Sequence, residues 1–223
     1  MTTMPVDLRL YALVDPERAG GHDLPELARQ VAQGGATLVQ LRDKRSGTRA
    51  MVERARAIKA ALAPLDVPLL INDRVDVALA CGADGVHVGQ DDMAAEDARR
   101  LLGRSAIIGL SVKTTAQAEA APVGLIDYAG IGGVFATTSK DNPDPPIGPA
   151  GLARIASVFR RHSPGFPLCA IAGIDAGNAG AAVAAGADGV AVISALSLER
   201  DPQAAARVLR GVVDAALARR GRA

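Results

Sequence analysis

The sequence contains very few aromatic residues: no tryptophan, two tyrosines and three phenylalanines in a chain of 223 residues. Proteins that stack nucleic-acid bases need such rings, so their scarcity argues against that class. Neither sign of charge is in excess, since the chain has 25 lysines and arginines and 24 aspartates and glutamates, which gives a net charge of +1. This balance provides no field that would steer the protein toward nucleic acid or a membrane surface. We therefore expect no nucleic-acid partner.

Cysteine is also scarce, and long apolar runs are missing. The two cysteines, Cys81 and Cys169, lie in apolar segments without a CxxC partner, so we expect buried thiols rather than a disulfide or a nucleophile. No uncharged apolar stretch is long enough to span a bilayer. The first residues lack the basic and apolar regions of a signal peptide. The sequence thus predicts a cytoplasmic protein with no membrane partner.

What the sequence does contain is a regular alternation of short β-rich runs and alanine-rich amphipathic stretches. The predicted strands are Leu8–Val14, Thr37–Arg42, Pro68–Asn72, Gly85–Gly89, Ile107–Val112, Tyr128–Phe135, Leu168–Gly173 and Gly189–Ser194. Eight strands alternating with eight amphipathic helices, without a break in composition, predict an α/β fold in which residues 1–223 form one (β/α)₈ TIM barrel domain. We expect flexible termini at about residues 1–7 and 219–223. A doubly wound open sheet is the alternative, disfavoured by the strand count and by the lack of an early GxGxxG motif.

A short internal repeat supports the barrel. Gly82-Ala83-Asp84-Gly85-Val86 recurs as Gly186-Ala187-Asp188-Gly189-Val190, and Gly35-Ala36 precedes another predicted strand in the same way. In each case a glycine ends a helix and the following residues begin a strand. The repeat therefore marks successive helix-to-strand joints of one architecture.

Functional groups of such a barrel collect where strands end and loops begin. In the segment LVQLRDK, Gln40 and Arg42 share one face of the predicted strand, whereas Val39 and Leu41 share the other. Lys44 follows on the polar side if the chain stays extended. An amide and two cations are therefore predicted to face one region.

The ends of the other predicted strands are polar as well. Their residues are Asn72 and Asp73; Gln90, Asp91 and Asp92; Ser111 and Lys113; Thr137, Thr138, Ser139 and Lys140; Gly173 and Asp175; and Ser194. Arg42, Lys44 and Lys140 would bring three positive charges to one rim. Neighbouring cations repel, so this cluster predicts an anionic ligand, and phosphate oxygens suit both guanidinium and ammonium groups.

Two aspartates at this rim indicate a metal. Asp73 and Asp92 end adjacent strands, so their carboxylates can converge, and they repel unless a proton or a cation lies between them. Carboxylate oxygens near phosphate-binding cations favour Mg²⁺, which also predicts a diphosphate rather than a monophosphate. Helix capping is the alternative role for each aspartate. Asp91 leaves the ligand position ambiguous by one residue, and the strand register favours Asp92.

The last two strand ends differ in character. Gly173 allows backbone N–H groups to approach an anion, and together with Ser194 it predicts a monophosphate site at the corner where many barrels bind one. His87 shares the inward parity of Gly89, so it either lines the site or is a hydrogen-bonded core histidine. No Ser/His/Asp or Cys/His arrangement and no general base is apparent. This pattern favours a reaction driven by stabilisation of a leaving group.

Four segments together resemble the thiamine-phosphate synthase family: Gln40-Leu41-Arg42-Asp43-Lys44, Ile71-Asn72-Asp73-Arg74, Gly85-Val86-His87-Val88-Gly89-Gln90-Asp91-Asp92 and Phe135-Ala136-Thr137-Thr138-Ser139-Lys140. The likeness runs in order from about Leu8 to Ser197. It implies a (β/α)₈ barrel that joins 4-amino-2-methyl-5-hydroxymethylpyrimidine diphosphate to a thiazole phosphate, in its plain or carboxylated form, and releases diphosphate.

The resemblance also implies roles for individual residues. The pyrimidine diphosphate would be held by Gln40, Arg42, Lys44, Asn72, Ser111 and Lys140, among which Arg42, Lys44, Ser111 and Lys140 would be catalytic. Asp73 and Asp92 would bind one Mg²⁺ per subunit, and the thiazole phosphate would be held by Thr137, Ser139, Gly173, Ile193 and Ser194. The implied mechanism is dissociative: diphosphate departs, and the thiazole nitrogen captures the resulting pyrimidine methylene cation.

The sequence departs from the family pattern at a few positions. Lys113 follows Ser111 where a histidine is usual, Ala136 replaces a common proline, and Ala172 replaces a glycine. The alternatives are a thiazole tautomerase of the same superfamily and a non-catalytic phosphate-binding paralogue. The first is expected to carry a histidine near Lys113, and the second to have lost the metal carboxylates or Lys140. The resemblance is also compatible with a homo-oligomer.

Overall fold

The computed structural model describes residues 6–139 and 145–221. Its strands are β1 (Leu10–Val14), β2 (Leu38–Leu41), β3 (Leu69–Asn72), β4 (Gly85–Val88), β5 (Ile107–Val112), β6 (Tyr128–Ile131), β7 (Leu168–Ile171) and β8 (Gly189–Val192). Its α-helices are α1 (Leu24–Gln33), α2 (Thr48–Leu62), α3 (Val75–Cys81), α4 (Ala95–Leu102), α5 (Thr115–Ala120), α6 (Gly148–His162), α7 (Ala179–Ala184), α8 (Ser194–Ser197) and α9 (Pro202–Arg220).

The strands close into a parallel barrel. Each strand pairs with the next along the chain, and β8 returns to pair with β1, where Val190 lies opposite Leu10. The predicted α/β barrel is confirmed and the open-sheet alternative is wrong. No helix in the described part of the chain is both long and apolar enough to cross a membrane.

Three predicted strands extend at least two residues too far at their carboxyl ends. β7 ends at Ile171 rather than Gly173. β6 ends at Ile131 rather than Phe135, because the chain leaves the barrel at Gly132 and the amides of Val134 and Phe135 bond instead to carbonyls at and just beyond the end of β7. β8 ends at Val192, and Ser194 begins the additional short helix α8 instead of ending the strand. All three differences lie at the carboxyl ends of strands, where functional loops depart.

Strand alternation divides the apolar residues into two cores. One core lies between the strands and the surrounding helices, and includes Val39 and Leu41. A smaller core fills the barrel interior and includes Tyr11, Leu38 and Tyr128. Gln40 was predicted to lie on the face of the strand opposite Val39 and Leu41. The division into two cores agrees, because successive side chains of a strand face opposite sides. Cys81 and Cys169 are free, buried thiols, as predicted.

The internal repeat has a structural explanation at the amino end of the barrel. Immediately before β4, β6 and β8, an aspartate carboxylate accepts a hydrogen bond from an amide at the start of the preceding strand, over 2.7 to 2.9 Å: Asp84 from Leu69, Asp127 from Ile108 and Asp188 from Leu168. Thr37 uses its hydroxyl similarly before β2, at 3.2 Å from the Leu10 amide. These contacts satisfy amides that have no partner in the sheet.

The glycines of the repeat allow the strands to approach closely. A Cβ atom at Gly85 would lie 1.8 Å from the Ile107 carbonyl oxygen, and one at Gly189 would lie 1.7 Å from that of Leu8. Both of these oxygens belong to the backbone, so neither can rotate away as the end of a side chain could. Glycine is therefore required at these two joints for steric reasons.

Replacing Gly189 by alanine is expected to lower the free energy of unfolding by about 3 kcal/mol, because β8 must move away from the chain beside it. Urea denaturation followed by circular dichroism measures the change. Gly180→Ala is the matched control, since nothing lies within 4 Å of a Cβ atom there, and alanine favours the helix. Equal stability of the two variants would contradict the steric explanation.

Candidate active site

A cavity of about 680 Å³ opens at the carboxyl end of the barrel. Side chains of the barrel interior form its floor, and the loops after β6, β7 and β8 form one wall. The predicted site residues that line it are Gln40, Arg42, Asn72, Ser111, Thr137, Ser139, Gly173, Ile193 and Ser194. Residues separated by more than 150 positions in the chain are thus brought into one site by barrel closure.

Arg42 is held in place by a buried carboxylate. Its Nη1 lies 2.5 Å from Oδ2 of Asp15, whose side chain is only 1% exposed. The other oxygen of Asp15 accepts a hydrogen bond from the Glu17 amide at 2.9 Å. Because a buried ion pair with additional hydrogen bonds is geometrically restrictive, the direction of the guanidinium is fixed before any ligand arrives.

Lys44, Asp73 and Asp92 form a second charged group beside the cavity. The Lys44 ammonium donates a hydrogen bond to the Asp73 carboxylate, and the Asp92 carboxylate accepts one from the Gly89 amide at 2.7 Å. Burial raises the pKa of Asp73, and a hydrogen-bond contact with the Asp92 carboxyl raises it further, whereas Lys44 opposes the shift. The two carboxylates predicted to converge therefore do so.

The residues of this pair fit a magnesium ion. Two facing carboxylates whose proximity disfavours ionisation gain from a divalent cation between them. Mg²⁺ commonly takes only one or two protein carboxylates and completes its coordination with water and phosphate oxygens. Within the described residues no group of three or more acidic, histidine or cysteine side chains could hold a metal. The carboxylates of Asp73 and Asp92 would therefore leave most coordination positions of the ion to water and to a ligand.

Two residues at the floor of the cavity carry buried polar atoms without partners. Nδ2 of Asn72 and Oε1 of Gln40 are buried and have no hydrogen-bond partner in the part of the chain that the structure describes. Both residues line the cavity. Burying such groups costs free energy unless a ligand or water satisfies them, so they indicate a polar ligand at this depth.

The sequence predicted that His87 either lines the site or is a hydrogen-bonded core histidine. The structure shows both, because His87 lines the cavity and is hydrogen-bonded. Its Nδ1 lies 2.8 Å from the Tyr128 hydroxyl and its Nε2 lies 2.9 Å from the Ser111 hydroxyl. Ser111 is thereby oriented from below.

The loops after β6, β7 and β8 meet at the opposite wall. The Ser139 hydroxyl donates to the Ser194 hydroxyl at 3.0 Å, and the Ser139 amide donates to the Thr137 hydroxyl at 3.1 Å. Gly173 has a φ of +64°, and a Cβ atom there would lie 2.2 Å from the Ala136 carbonyl oxygen, so this turn requires glycine. Ile193 precedes α8. Lys140, predicted beside this group, lies outside the described residues.

Sequence reasoning missed three residues of the site: Asp15, Tyr11 and Tyr128. Tyr11 and Tyr128 lie at inward positions of β1 and β6, at the same parity as other cavity residues, so strand alternation could have found them. Asp15 directly follows β1 and is a strand-end carboxylate like Asp73. Applying the strand-end rule to the first strand as well would have found it.

Comparison with known proteins agrees with this geometry. A family profile described as thiamine monophosphate synthase matches residues 10–196. A thiamine-phosphate synthase of Agrobacterium fabrum is 54% identical over 212 residues, covering 95% of this chain and 96% of that protein. One from Albidiferax ferrireducens is 47% identical over 208 residues, covering 93% of each.

A solved structure gives the same result in three dimensions. The thiamine phosphate pyrophosphorylase of Pyrococcus furiosus superposes with a TM-score of 0.82 at 36% identity, covering 95% of this chain and 98% of that one. The match covers nearly the full length of both chains. On the combined evidence of fold, site and relatives, the chain belongs to the thiamine-phosphate synthase family of transferases.

Proposed function

We propose that this protein forms thiamine phosphate by a dissociative reaction in which the residues of the cavity bind both substrates and stabilise departing diphosphate. The observation that carries the proposal is the juxtaposition of Arg42, Lys44, Asp73 and Asp92 beside a cavity with polar walls. Such a cluster suits a diphosphate, which brings negative charge to the cations and oxygen ligands to a metal.

The pyrimidine diphosphate occupies the side of the cavity formed by β2 to β5. Arg42, fixed by Asp15, and Lys44 contact the diphosphate, together with Lys140. The ring lies on the floor, where Gln40, Asn72 and Ser111 offer hydrogen-bonding groups. This placement satisfies the buried Asn72 amide, which has no partner in the described ranges.

The thiazole phosphate occupies the opposite wall, against Thr137, Ser139, Gly173, Ile193 and Ser194. The paired hydroxyls of Ser139 and Ser194 are suitable donors to a monophosphate, and the glycine at position 173 would let backbone N–H groups approach it. The two ligands then lie against opposite walls of the cavity, with their reacting ends toward its centre.

The chemistry requires no nucleophile from the protein. The bond between the pyrimidine methylene carbon and the bridging oxygen breaks, and its electron pair leaves with diphosphate. Arg42 and Lys44 stabilise the charge that develops on that oxygen. The lone pair of the thiazole nitrogen then forms the new bond to the methylene carbon. The missing catalytic triad is thus accounted for.

We propose Mg²⁺ as the cofactor, one per subunit, held by Asp73 and Asp92. When bound, the ion neutralises diphosphate charge and so makes it a better leaving group. The support is the contact between the two carboxylates and the raised pKa of Asp73, which burial and the Asp92 carboxyl cause.

The isomerase and non-catalytic alternatives gain no support from the site. Lys113 stands where the tautomerase alternative calls for a histidine, and both metal carboxylates are present. The relatives compared above also carry the synthase name. We further propose a cytoplasmic location, because both substrates are phosphorylated and do not diffuse through membranes.

The direct test uses purified protein with the pyrimidine diphosphate, the thiazole phosphate and Mg²⁺. Thiamine phosphate and diphosphate are expected in equal amounts, and EDTA is expected to abolish both. Lys140→Ala is expected to reduce product formation as well. Formation of thiamine phosphate in the presence of EDTA, or of an isomerised thiazole without thiamine phosphate, would refute the proposal.

Ser194→Ala is expected to raise KM for the thiazole phosphate about tenfold with little change in KM for the pyrimidine diphosphate, because one donor to the monophosphate is lost. Steady-state kinetics with each substrate varied in turn gives the two constants. Ser157→Ala, which removes a hydroxyl from the exposed face of α6, is the control. A change in KM for the pyrimidine diphosphate alone would contradict the placement of Ser194 at the thiazole phosphate.

A further inference from the structure

Asp43 lies between two cations of the proposed diphosphate site, Arg42 and Lys44, yet the proposed reaction gives it no role. Its side chain is only 1% exposed. Among the residues that the structure describes, those lining the cavity do not include Asp43. A buried carboxylate is costly unless hydrogen bonds and opposite charge compensate it, so its partners indicate what it does.

The Asp43 carboxylate closes the turn that follows β2. Its Oδ1 accepts hydrogen bonds from the amides of Arg45 at 3.3 Å and Ser46 at 3.0 Å. Its Oδ2 accepts one from Nη1 of Arg54 on α2, and the same nitrogen donates to the Ser46 hydroxyl at 3.1 Å. Aspartate commonly closes turns by accepting from amides of the residues that follow it. Lys44 is thereby enclosed in the turn.

Asp43 keeps its charge in this turn. Burial by itself raises the pKa of the Asp43 carboxyl, but the hydrogen bonds from Ser46 and Arg45 and the charge of Arg54 outweigh burial, so the pKa lies below its usual value. The carboxylate is therefore an anion at neutral pH. Its charge-assisted hydrogen bond to the guanidinium ties the turn to α2.

The two ends of the loop between β2 and α2 are fixed independently of Asp43. At its start, the Arg42 amide donates to the Val14 carbonyl at 2.9 Å. At its end, the Thr48 hydroxyl accepts a hydrogen bond from Nη2 of Arg74 at 2.9 Å. Asp43 thus restricts the middle of the loop, which is where Lys44 lies.

Lys44 depends on this backbone for its direction. Its side chain is 47% exposed, so packing does not hold the flexible lysine stem. Its ammonium donates to Asp73, but Asp73 is a proposed magnesium ligand, and this contact is therefore not a permanent anchor. Arg42 differs, because Asp15 holds its guanidinium directly.

We propose that Asp43 is a positioning residue that, together with Arg54, holds the turn after β2 so that the Lys44 ammonium reaches the diphosphate. This inference rests on the proposed function, because diphosphate is the ligand that Lys44 would contact. Since Asp43 acts through Lys44, its contribution to diphosphate binding is expected only when Lys44 is present.

The first test is a double-mutant cycle on the binding of inorganic diphosphate, measured by calorimetric titration of the full chain with Mg²⁺. Asp43→Asn keeps the shape of the side chain but removes the charge that binds Arg54. It is expected to weaken binding about tenfold in the original protein and less than about twofold in a Lys44→Met background, because a misplaced lysine and a missing one have the same effect. An equal loss in both backgrounds would overturn the inference.

Asp127→Asn is the matched control. Asp127 accepts hydrogen bonds from the Ile108 amide and from the Arg99 guanidinium, each at 2.7 Å, but it lies at the amino end of the barrel. Urea denaturation is expected to show a loss of stability for both replacements, whereas only Asp43→Asn weakens diphosphate binding. An equal loss of affinity in Asp127→Asn would attribute the effect to general destabilisation and contradict a positioning role.

The second test observes the turn without a ligand. Hydrogen exchange of the Ser46 amide, followed by NMR of the free protein, is expected to be about tenfold faster in Asp43→Asn, because a neutral acceptor holds this amide less well and Arg54 is released. Arg54→Met is expected to accelerate the same amide. Exchange at the original rate in both variants would show that other contacts hold the turn, and the inference would then be wrong.

The outcomes separate this inference from the proposed function. If the original protein binds inorganic diphosphate but makes no thiamine phosphate, the proposed function fails, and the cycle still decides the role of Asp43. If it makes thiamine phosphate and Asp43→Asn binds diphosphate normally, only the positioning inference is overturned. If inorganic diphosphate does not bind the original protein, Lys44 contacts no diphosphate and the positioning inference is overturned as well.

Discussion

Asp73→Asn is expected to reduce kcat/KM by about 1,000-fold, because it removes a charged ligand from the proposed magnesium site and with it stabilisation of the departing diphosphate. Asp92→Asn is expected to have a similar effect. Steady-state kinetics at saturating Mg²⁺ gives the ratio, and binding of Mn²⁺ measured by electron paramagnetic resonance gives the metal affinity independently of turnover.

The same variants also test the register of the second ligand. Asp92 contacts Asp73, and Asp91 is the neighbouring residue in the chain, exposed as Asp92 is. Asp91→Asn is therefore expected to change kcat/KM and Mn²⁺ affinity by less than about twofold. A larger effect at Asp91 than at Asp92 would move the ligand by one residue, and full activity of Asp73→Asn would remove the metal site from the mechanism.

Loss of activity in Asp73→Asn is not expected to arise from unfolding. Burial and the contact with Asp92 raise the pKa of Asp73, which means that its ionised form is disfavoured in the folded protein. A neutral amide of the same shape removes that unfavourable charge. The midpoint of thermal unfolding is therefore expected to stay the same or rise, and a clear fall would attribute the kinetic loss to structure.

Arg42→Ala is expected to lower kcat/KM by about 1,000-fold, since the guanidinium is the cation whose direction is already fixed toward the diphosphate. It is also expected to destabilise the fold by about 3 kcal/mol, because Asp15 is left as a buried carboxylate without its partner. Urea denaturation and steady-state kinetics measure the two effects separately.

A double variant distinguishes these two consequences. Adding Asp15→Asn to Arg42→Ala removes the unpaired charge, so stability is expected to recover in part while activity does not. The control is Arg45→Ala, since the Arg45 side chain is 81% exposed and pairs with Glu17 at the surface; its loss is expected to change both quantities little. Recovery of activity in the double variant would show that Arg42 acts only through stability.

The sequence by itself determined the barrel and most of the site's composition. Alternation of residue type along LVQLRDK already separates Gln40 and Arg42 from Val39 and Leu41, because strand geometry imposes a period of two. The glycine–alanine–aspartate repeats mark the joints, and their residues are dictated by local contacts at each strand start. Asp73 and Asp92 could be paired from the sequence because neighbouring strands of a barrel end on the same side.

Only the tertiary structure decided how the polar groups are connected. The pairing of Arg42 with Asp15 joins β2 to the residue after β1. A series of hydrogen bonds beneath the cavity joins side chains from β1, β2, β4, β5 and β6: Tyr11, Gln40, His87, Ser111 and Tyr128. Such contacts depend on the closure and tilt of the barrel, which bring side chains from distant strands together across its interior. The end of β6 was likewise set by hydrogen bonds to residues at and after the end of β7, for which local sequence carries no signal.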